Sequence, residues 1–310
     1  MKKVLCAGLL MVDVLVKPVD CFDHNHDTVA VDTIKMESGG DAMNNAVILA
    51  KLGAPVCFAG RIGDDMQGEF LREFLKKANV EAHLTVDDKK VTSSCIVMIS
   101  SSGERSFLYN SGANAAFCAN DISDELLAQA GHIQIGGALS MPSLDGEGAL
   151  SLLKRAKRYG LTTSMDVTTS STGKWYETLR PVLPFVDYFM PSLEEAKYIA
   201  GTDEPDKIAD FLLDKGVGTA VIKLGAKGCL LKNKYVRIVK PAYEGLSVMD
   251  TTGAGDAFCA GFIYGIVNAF DLELCASLGN AVAGLNITKI GATGGAVDWH
   301  SVQIFMENHN

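Results

Sequence analysis

Apolar residues in the first part of the chain fall in short runs that alternate with helix-like segments. Val4–Ala7 and Pro55–Ala59 predict buried strands, Ala42–Leu52 predicts a helix, and Gly68–Ala78 predicts another. Strands that alternate with helices in this way favour a parallel sheet covered by helices on both faces.

Two segments have a different, period-two pattern. Asp27–Glu37 alternates apolar and polar positions, and Thr92–Asn110 has the pattern of a strand, a Ser-Ser-Gly-Glu turn and a second strand. Such alternation gives one buried and one wet face, so we expect a small antiparallel sheet apart from the main one. Its strands should lie within residues 14–38 and 91–111.

The strand and helix alternation returns after Asp121. The predicted strands are His132–Ile135, Leu161–Asp166, Tyr188–Met190 and Thr219–Lys223, then a hairpin of Gly228–Lys232 and Tyr235–Val239, and the predicted helices are Asp256–Asn268 and Leu272–Ile287. We therefore expect residues 1–310 to form a single α/β domain that carries the small sheet as an insertion.

Charge and cysteine usage narrow the classes of function. Lys and Arg number 28 against 37 Asp and Glu, a net charge of -9, which disfavours nucleic-acid and acidic-membrane partners because phosphate binding needs excess positive charge. The eight cysteines are scattered without a C-x-x-C pair, and no apolar run reaches the roughly 20 residues of a membrane span. We expect a cytoplasmic protein with reduced thiols.

The strongest local signal is Asp250-Thr-Thr-Gly-Ala-Gly-Asp256, which leads directly into a predicted helix. A Gly-x-Gly turn at a helix start aims backbone N–H groups at one point, where the helix dipole also favours an anion such as phosphate. Asp256 has two interpretations: an acidic residue that suits a helix start, or a carboxylate that accepts the proton of an attacking hydroxyl.

Other nucleotide-binding fingerprints are missing from the chain. There is no G-x-x-x-x-G-K-[ST] sequence, and the turn Gly8–Asp13 lacks G-x-G-x-x-G. Both a P-loop enzyme and a nicotinamide dehydrogenase are disfavoured.

A second signal opens the Ala42–Leu52 helix. Gly39-Gly40 lets a ligand approach the backbone, and Asn44 offers a donor and an acceptor to a hydroxyl, although a glycine pair before a helix is also an ordinary turn.

Taken together, the two signals resemble the signature regions of the ribokinase-like, or PfkB-type, carbohydrate kinases. The resemblance extends over essentially the whole chain, including Gly103-Glu104, Ser111–Asn114, Leu224–Gly228 and Gly291-Ala292. It implies a Rossmann-like αβα sandwich with a mostly parallel central sheet and a β-sheet lid. The implied reaction is transfer of the γ-phosphoryl group of ATP, with Mg²⁺, to a sugar or nucleoside hydroxyl.

The resemblance also implies a role for individual residues. Asp256 would be the catalytic base, and the N–H groups of Gly253, Ala254 and Gly255 would form the anion hole. Asp13, Gly39, Gly40 and Asn44 would hold the sugar. Lys223, Gly225, Gly228 and Asn280 would bind the nucleotide, with Asn280 at the adenine.

The chain departs from the family pattern at two places. The N-x-x-E motif, linked to magnesium, is here Ser192-Leu-Glu-Glu195, so Glu195 keeps its assignment as the metal residue and serine replaces asparagine. Ile135-Gly136-Gly137 stands where ribokinase carries an acidic sugar contact, which weakens the case for ribose. Asp166, at a predicted strand end, is a candidate for a secondary contact.

Three residues bear on the substrate. Asp41 stands where relatives that act on sugar phosphates tend to carry Lys, and like-charge repulsion there favours an unphosphorylated sugar or sugar acid. Arg105 has two interpretations, a partner for a substrate carboxylate or for an acid of the lid. Phe107 lies on a strand of which one face should close over the ligand.

Three alternatives stay open at this point. Lid aromatics also suit a nucleoside kinase of the same superfamily, and a non-catalytic sugar sensor would keep the fold. The apolar lid face predicts a homodimer through the lid. In parts of the family a monovalent cation activates the enzyme, and the candidate position for it here is near Asp250 and Gly291–Gly294.

Overall fold

A computed structural model describes residues 2–21, 28–170 and 172–309. The strands are β1 Lys3–Gly8, β2 Met11–Lys17, β3 Thr33–Gly39, β4 Val56–Gly63, β5 Glu81–Asp87, β6 Ser94–Ile99, β7 Arg105–Asn110, β8 Ala130–Ala138, β9 Thr162–Val167, β10 Tyr188–Phe189, β11 Thr219–Lys223, β12 Cys229–Lys232 and β13 Arg237–Lys240. The helices are α1 Asp41–Lys51, α2 Met66–Lys77, α3 Asp124–Gln129, α4 Glu147–Arg158, α5 Trp175–Leu179, α6 Leu193–Ala200, α7 Pro205–Asp214, α8 Ala254–Val267, α9 Leu272–Asn286 and α10 Trp299–Asn308.

Nine strands form the central sheet, in the order β13-β12-β11-β10-β9-β8-β1-β4-β5. Neighbours from β11 to β5 are parallel, and only the β11-β12-β13 edge is antiparallel. The predicted mostly parallel α/β fold is confirmed. The sequence analysis missed β5, whose side chains are mostly exposed or half-buried and therefore leave no apolar run.

The central sheet has an apolar core on each face. One core packs α4, α6 and α7, with Leu152, Ile199 and Leu212 among its members, and the other packs α1, α8 and α9. No helix of the described residues has the length and apolarity that crossing a membrane requires.

Helices α8 and α9 touch at the backbone through glycine. A Cβ at Gly261 would lie 2.6 Å from the carbonyl oxygen of Leu278, and one at Gly265 would lie 2.7 Å from the sulfur of Cys275. Because no larger residue fits at this contact, α8 has little freedom to shift along α9.

The small sheet has four strands in the order β3-β2-β6-β7. Its β3-β2 and β6-β7 pairs are antiparallel, but β2 and β6 are parallel. The expectation of a purely antiparallel sheet was therefore wrong, because period-two alternation fixes which side chains share a face and says nothing about strand direction. Asp27, where the predicted strand began, lies outside the described residues.

Register assigns the side chains of the small sheet to two faces. Asp13 is opposite Glu37 and Cys95, and Cys95 is opposite Tyr109, so these residues share what we term the Asp13 face together with Arg105 and Phe107. Val14, Met36, Ile96 and Leu108 form a row on the other side, termed the Met36 face.

Two residues, Leu9 and Leu10, connect β1 of the central sheet to β2 of the small one. Both side chains are buried, with exposures of 2% and 0%. The Leu9 N–H donates to the Gly136 carbonyl at 3.1 Å, and Asn114 Nδ2 donates to the Leu10 carbonyl at 2.8 Å. The connection is therefore held on both sides by the rest of the protein.

Candidate active site

The loop before α8 turns sharply at Gly253. This residue has φ of 70°, and a Cβ on it would lie 2.3 Å from the Ala292 carbonyl oxygen, so glycine is required here on both grounds. The Ala254 N–H, which the resemblance placed in the anion hole, instead donates to the Thr251 carbonyl at 3.2 Å. Among the described residues, the N–H groups of Gly253, Gly255 and Asp256 have no such partner and stay available to an anion at the helix N-terminus.

Asp256 lies in the first turn of α8 and is held by two asparagines of α1. Asn44 Nδ2 donates to its carboxylate Oδ2 at 2.8 Å, and Asn45 Nδ2 donates to its backbone carbonyl at 2.9 Å. Burial, and then the charge of Asp166, raise the pKa of Asp256 to about 7. A carboxyl group with that pKa is suited to proton transfer near neutral pH.

Asn44 is almost fully buried, with 4% exposure, and its Oδ1 has no hydrogen-bond partner among the described residues. A buried amide oxygen without a donor is costly, and such an orphan commonly marks a place where a ligand supplies the missing hydrogen bond. The structure places Asn44 next to Asp256, and the expectation that it meets a substrate hydroxyl stays a prediction.

Asp41 and Asp166 accompany Asp256, and one carboxylate oxygen from each of the three lies within 4.8 Å of the others. Asp166 is buried and accepts from Gln134 Nε2 and from the Gly137 N–H, both at 3.2 Å. Burial is the main cause that raises the pKa of Asp166 to about 6.

Sequence reasoning missed Asn45 and Gln134. Gln134 Nε2 also donates to Asn45 Oδ1 at 3.2 Å, so the two amides join Asp166 to the backbone of Asp256. The sequence gives only a weak indication that Asn45 and Gln134 belong to the site, because a polar residue inside a predicted buried strand or helix has many explanations.

Lys223, at the end of β11, faces the start of α8. Its Nζ lies 3.2 Å from the position that a Cβ would take on Gly255. Its Nζ donates to the Cys259 sulfur at 3.8 Å, and it makes no ion pair with the described part of the chain. Burial acts to lower the pKa of Lys223, but the negative field of neighbouring groups outweighs it and raises the pKa above its ordinary value.

A cavity of about 740 Å³ extends from these residues along the protein. Its lining includes Asp41, Asp166, Glu195, Lys223 and Gly253–Asp256 near α8, and Gly225, Gly228, Tyr243, Asn280 and Ile287 farther along. The residues expected to bind the nucleotide thus share one cavity with those expected to be catalytic. Asn280 Nδ2 donates to the carbonyls of Lys240 and Pro241, so this amide also fixes the cavity wall.

Glu195 belongs to a capping box at the start of α6. Its Oε2 accepts from the Ser192 N–H at 2.7 Å, and the Ser192 hydroxyl accepts from the Glu195 N–H at 3.3 Å. Serine therefore acts as an efficient helix cap at this position, and both side chains still line the cavity.

Asp13 and the Gly39-Gly40 pair lie at the root of the small sheet, outside the lining of the cavity. A Cβ at Gly39 would lie 2.1 Å from Asp13 Oδ2, and Gly40 has φ of 100°, so this crossing requires both glycines. Burial, and then the charge of Glu37, raise the pKa of Asp13 to about 6.

Among the described residues, Arg105 pairs with no acid of the small sheet, and it does not line the cavity. Its Nη2 lies 2.7 Å from Asp250 Oδ1, and its Nη1 donates to the Thr252 hydroxyl, so it joins β7 to the loop before α8. The alternative of a lid acid as its partner was therefore wrong. Phe107 stands on the Asp13 face with 60% exposure.

Comparison with known families gives one match over nearly the whole chain. A family described as pfkB family carbohydrate kinase matches residues 1–299. The chain is 26% identical to ribokinase of Haemophilus influenzae, over 88% of this chain and 89% of that protein. It is 27% identical to 2-dehydro-3-deoxygluconokinase of Bacillus subtilis, over 84% of each.

Solved structures give the same fold. Arabidopsis thaliana ribokinase, complexed with ribose and ATP, superposes with a TM-score of 0.88 at 26% identity, over 99% of each chain. Thermotoga maritima ribokinase superposes with a TM-score of 0.86 at 23% identity, over 99% of this chain and 100% of that one. With a shared fold, a family match of this length and relatives that are sugar kinases, the chain belongs to the PfkB family of carbohydrate kinases and is an ATP-dependent sugar kinase.

Proposed function

We propose that this kinase transfers the γ-phosphoryl group of ATP to a hydroxyl of an unphosphorylated sugar or sugar acid, with Asp256 as the general base. One observation carries the proposal: Asp256 shares a cavity with unpartnered N–H groups of α8 and with an ammonium group, Lys223, that has no ion pair in the described chain. A base next to donors that have no partner in the described chain suits phosphoryl transfer to a hydroxyl.

The proton transfer follows from the contacts of Asp256. A pKa of about 7 leaves much of the carboxyl group ionised at neutral pH, so it can accept the hydroxyl proton as the oxygen attacks phosphorus. Asn44 fixes the carboxylate through Nδ2, and we assign to its orphan Oδ1 the role of accepting a hydrogen bond from the acceptor hydroxyl.

The transferring group gathers negative charge that the protein must stabilise. We assign this role to Lys223, to the free N–H groups of Gly253 and Gly255, and to the dipole of α8. The N–H groups of Gly253 and Gly255 belong to the folded turn and to the first turn of α8, so they need little reorganisation when charge develops.

The donors present fit magnesium, because the cavity wall near α8 carries carboxylate oxygens, the hard ligands that this ion prefers. Glu195 would hold it through Oε1, since its Oε2 is engaged by the Ser192 N–H. When bound, the ion neutralises phosphate charge during transfer.

The acceptor end favours a substrate without its own phosphate. One carboxylate oxygen of Asp41 lies within 4.8 Å of one of Asp256, and burial together with the charge of Asp256 raises the pKa of Asp41. The site therefore disfavours further negative charge, such as that of a second phosphate. Asp13 is the candidate for holding sugar hydroxyls on the inner side of the small sheet, which we propose acts as the lid.

An acceptor panel tests the proposal. ADP formation is measured with hexoses, pentoses, sugar acids, sugar phosphates, adenosine and pseudouridine, and we expect turnover with a sugar or sugar acid. Turnover confined to nucleosides would overturn it and favour base stacking on Phe107 or Tyr109, which lie exposed on the Asp13 face. Turnover confined to sugar phosphates would overturn the role given to Asp41.

We also propose that a second copy of the chain covers the Met36 face. Met36, Ile96 and Leu108 lie in one row with exposures of 43%, 40% and 57%, and Ile34 on the same face is 70% exposed. Light scattering should report a dimer, and Leu108→Glu should give a monomer. Ile304→Glu, on exposed α10, is the control that should leave the dimer intact.

A further inference from the structure

Arg105 is the first residue of β7 and connects two parts of the chain that lie far apart in sequence. Its guanidinium reaches Asp250 and Thr252, which are 145 and 147 residues away, in the loop that leads into Gly253 and α8. The contact joins the small sheet to the loop that we propose binds phosphate.

Asp250 is a well-built receptor for this guanidinium. Its Oδ1 also accepts from the Thr252 N–H at 2.9 Å, and its Oδ2 accepts from the Gly291 N–H at 2.9 Å. Burial acts to raise the pKa of Asp250, but Arg105 and these N–H groups hold it well below its ordinary value. The carboxylate is therefore charged and fixed, with only 9% side-chain exposure.

The surroundings of β7 show why this contact matters. All six residues of β7 are exposed, and among the described strands β7 pairs with β6 alone because it is the edge of the small sheet. An edge strand with so little packing has low local stability, so a charge-assisted contact at its first residue contributes a large share of its order.

We propose that Arg105 is a positioning residue that latches the small sheet to the phosphate loop, so that order in one favours order in the other. The inference rests on the proposed function, because it takes the Gly253–Asp256 turn as the anion site. Coupling between two sites is reciprocal: whatever orders the loop also orders β7, and a loosened β7 weakens the hold on phosphate.

While the latch is closed, both terminal nitrogens of Arg105 donate to the loop, Nη1 to Thr252 and Nη2 to Asp250. Its effect on transfer comes through Asp250 and the loop, and both substrates should be affected together. A residue that only contacted the acceptor would change the KM of the acceptor and leave ATP unaffected.

Hydrogen exchange of the full-length protein, with and without Mg²⁺ and the nonhydrolysable nucleotide AMP-PNP, tests the latch. In the wild type, the nucleotide should slow exchange in residues 250–256 and also in residues 105–110. In Arg105→Met, the protection of residues 105–110 should fall by roughly 5-fold or more, the size of a modest coupling. Because β7 buries none of its side chains, the variant removes no core contact.

Two further variants sharpen the result. Arg237→Met is the matched control, since Arg237 makes a comparable two-point contact with Asp206 at 2.7 Å and 2.7 Å, away from the cavity lining. It should leave the coupling intact. Arg105→Lys keeps the positive charge but loses the planar guanidinium that contacts two residues. Compared with Arg105→Met, it should restore part of the protection of residues 105–110.

Each outcome separates the latch from the proposed function. Nucleotide-dependent protection of residues 105–110 that survives in Arg105→Met overturns the latch and leaves the phosphate site standing. A wild type in which AMP-PNP does not protect residues 250–256 overturns the phosphate site itself. In steady-state assays, Arg105→Met should raise the KM of ATP and of the acceptor together, and a rise confined to the acceptor would contradict the latch.

Discussion

The proposed site has a phosphate end, at the start of α8, and an acceptor end, under the small sheet, and the two are built in different ways. At the phosphate end, backbone atoms leave no space: a Cβ at Gly253 would lie 2.3 Å from the Ala292 carbonyl oxygen, and one at Gly228 would lie 2.0 Å from the Lys240 carbonyl oxygen. At the acceptor end, β7 is exposed along its whole length and Phe107 is 60% exposed. On the proposed assignment, crowded backbone holds the phosphate end, whereas the outer strand over the acceptor end has exposed side chains with room to change, so substitutions should have unequal effects at these places.

The largest effect is expected from Asp256→Asn. The amide cannot accept the hydroxyl proton, so kcat should fall by roughly 10²–10⁴-fold while ATP binding changes little. Steady-state kinetics and a nucleotide-binding titration measure the two effects. Asp298→Asn, at the cap of α10, is the control. Near-normal turnover by a folded Asp256→Asn enzyme would contradict the role of base.

A substitution at Gly255 tests how closely the start of α8 packs against Lys223. A Cβ there meets Lys223 Nζ at 3.2 Å, so Gly255→Val should displace the ammonium and lower kcat/KM for ATP by roughly 10²-fold. Gly255→Ala should have a smaller effect of the same sign, because a single methyl group lets the lysine adjust. If both variants retain full ATP use, Lys223 and the turn do not hold the phosphoryl group.

Asn44→Ala should affect both the base and acceptor binding, because Asn44 contacts Asp256 and is proposed to bind the acceptor hydroxyl. The hydrogen bond from Asn44 lowers the pKa of Asp256, so its loss should raise that pKa and move the rise of kcat with pH, expected near pH 7, to higher pH. The groups that also act on Asp256 are Asp41, Asp166, Glu195 and Lys223, all unchanged in this variant. The KM of the acceptor should rise as well. A pH profile that does not move would contradict the contact.

The smallest effect is expected from Asp13→Asn, and it concerns stability. The folded state raises the pKa of Asp13 from 3.8 to about 6, so this group favours folding below about pH 4 and loses that contribution as the pH rises through 6. Removal of the charge should therefore stabilise the protein at pH 8 by about 1–2 kcal/mol and should raise the KM of the acceptor. Urea unfolding at pH 4 and pH 8 measures the change in the free energy of unfolding, and an equal change at both pH values would contradict the burial of this charge.

The difference between the two ends also governs what the sequence could predict. The strand Thr219–Lys223 and the start of α8 were predicted closely because apolar runs and glycine turns are local features. The clustering of Asp41 with Asp166 and the role of Gln134 were not, since they depend on strands and helices that meet only in the folded chain. The Arg105–Asp250 contact spans 145 residues and follows from no local pattern.

The short connection between β1 and β2 has a mechanical consequence. Leu9 and Leu10 are buried and their backbone groups are bonded to Gly136 and Asn114, so this connection is not a hinge. If the small sheet is the lid that we propose, the root of β2 and Asp13 should stay in place while strands farther out bend. Asp13 would then be a fixed contact for every acceptor, and only the outer part of the sheet would move to admit and release it.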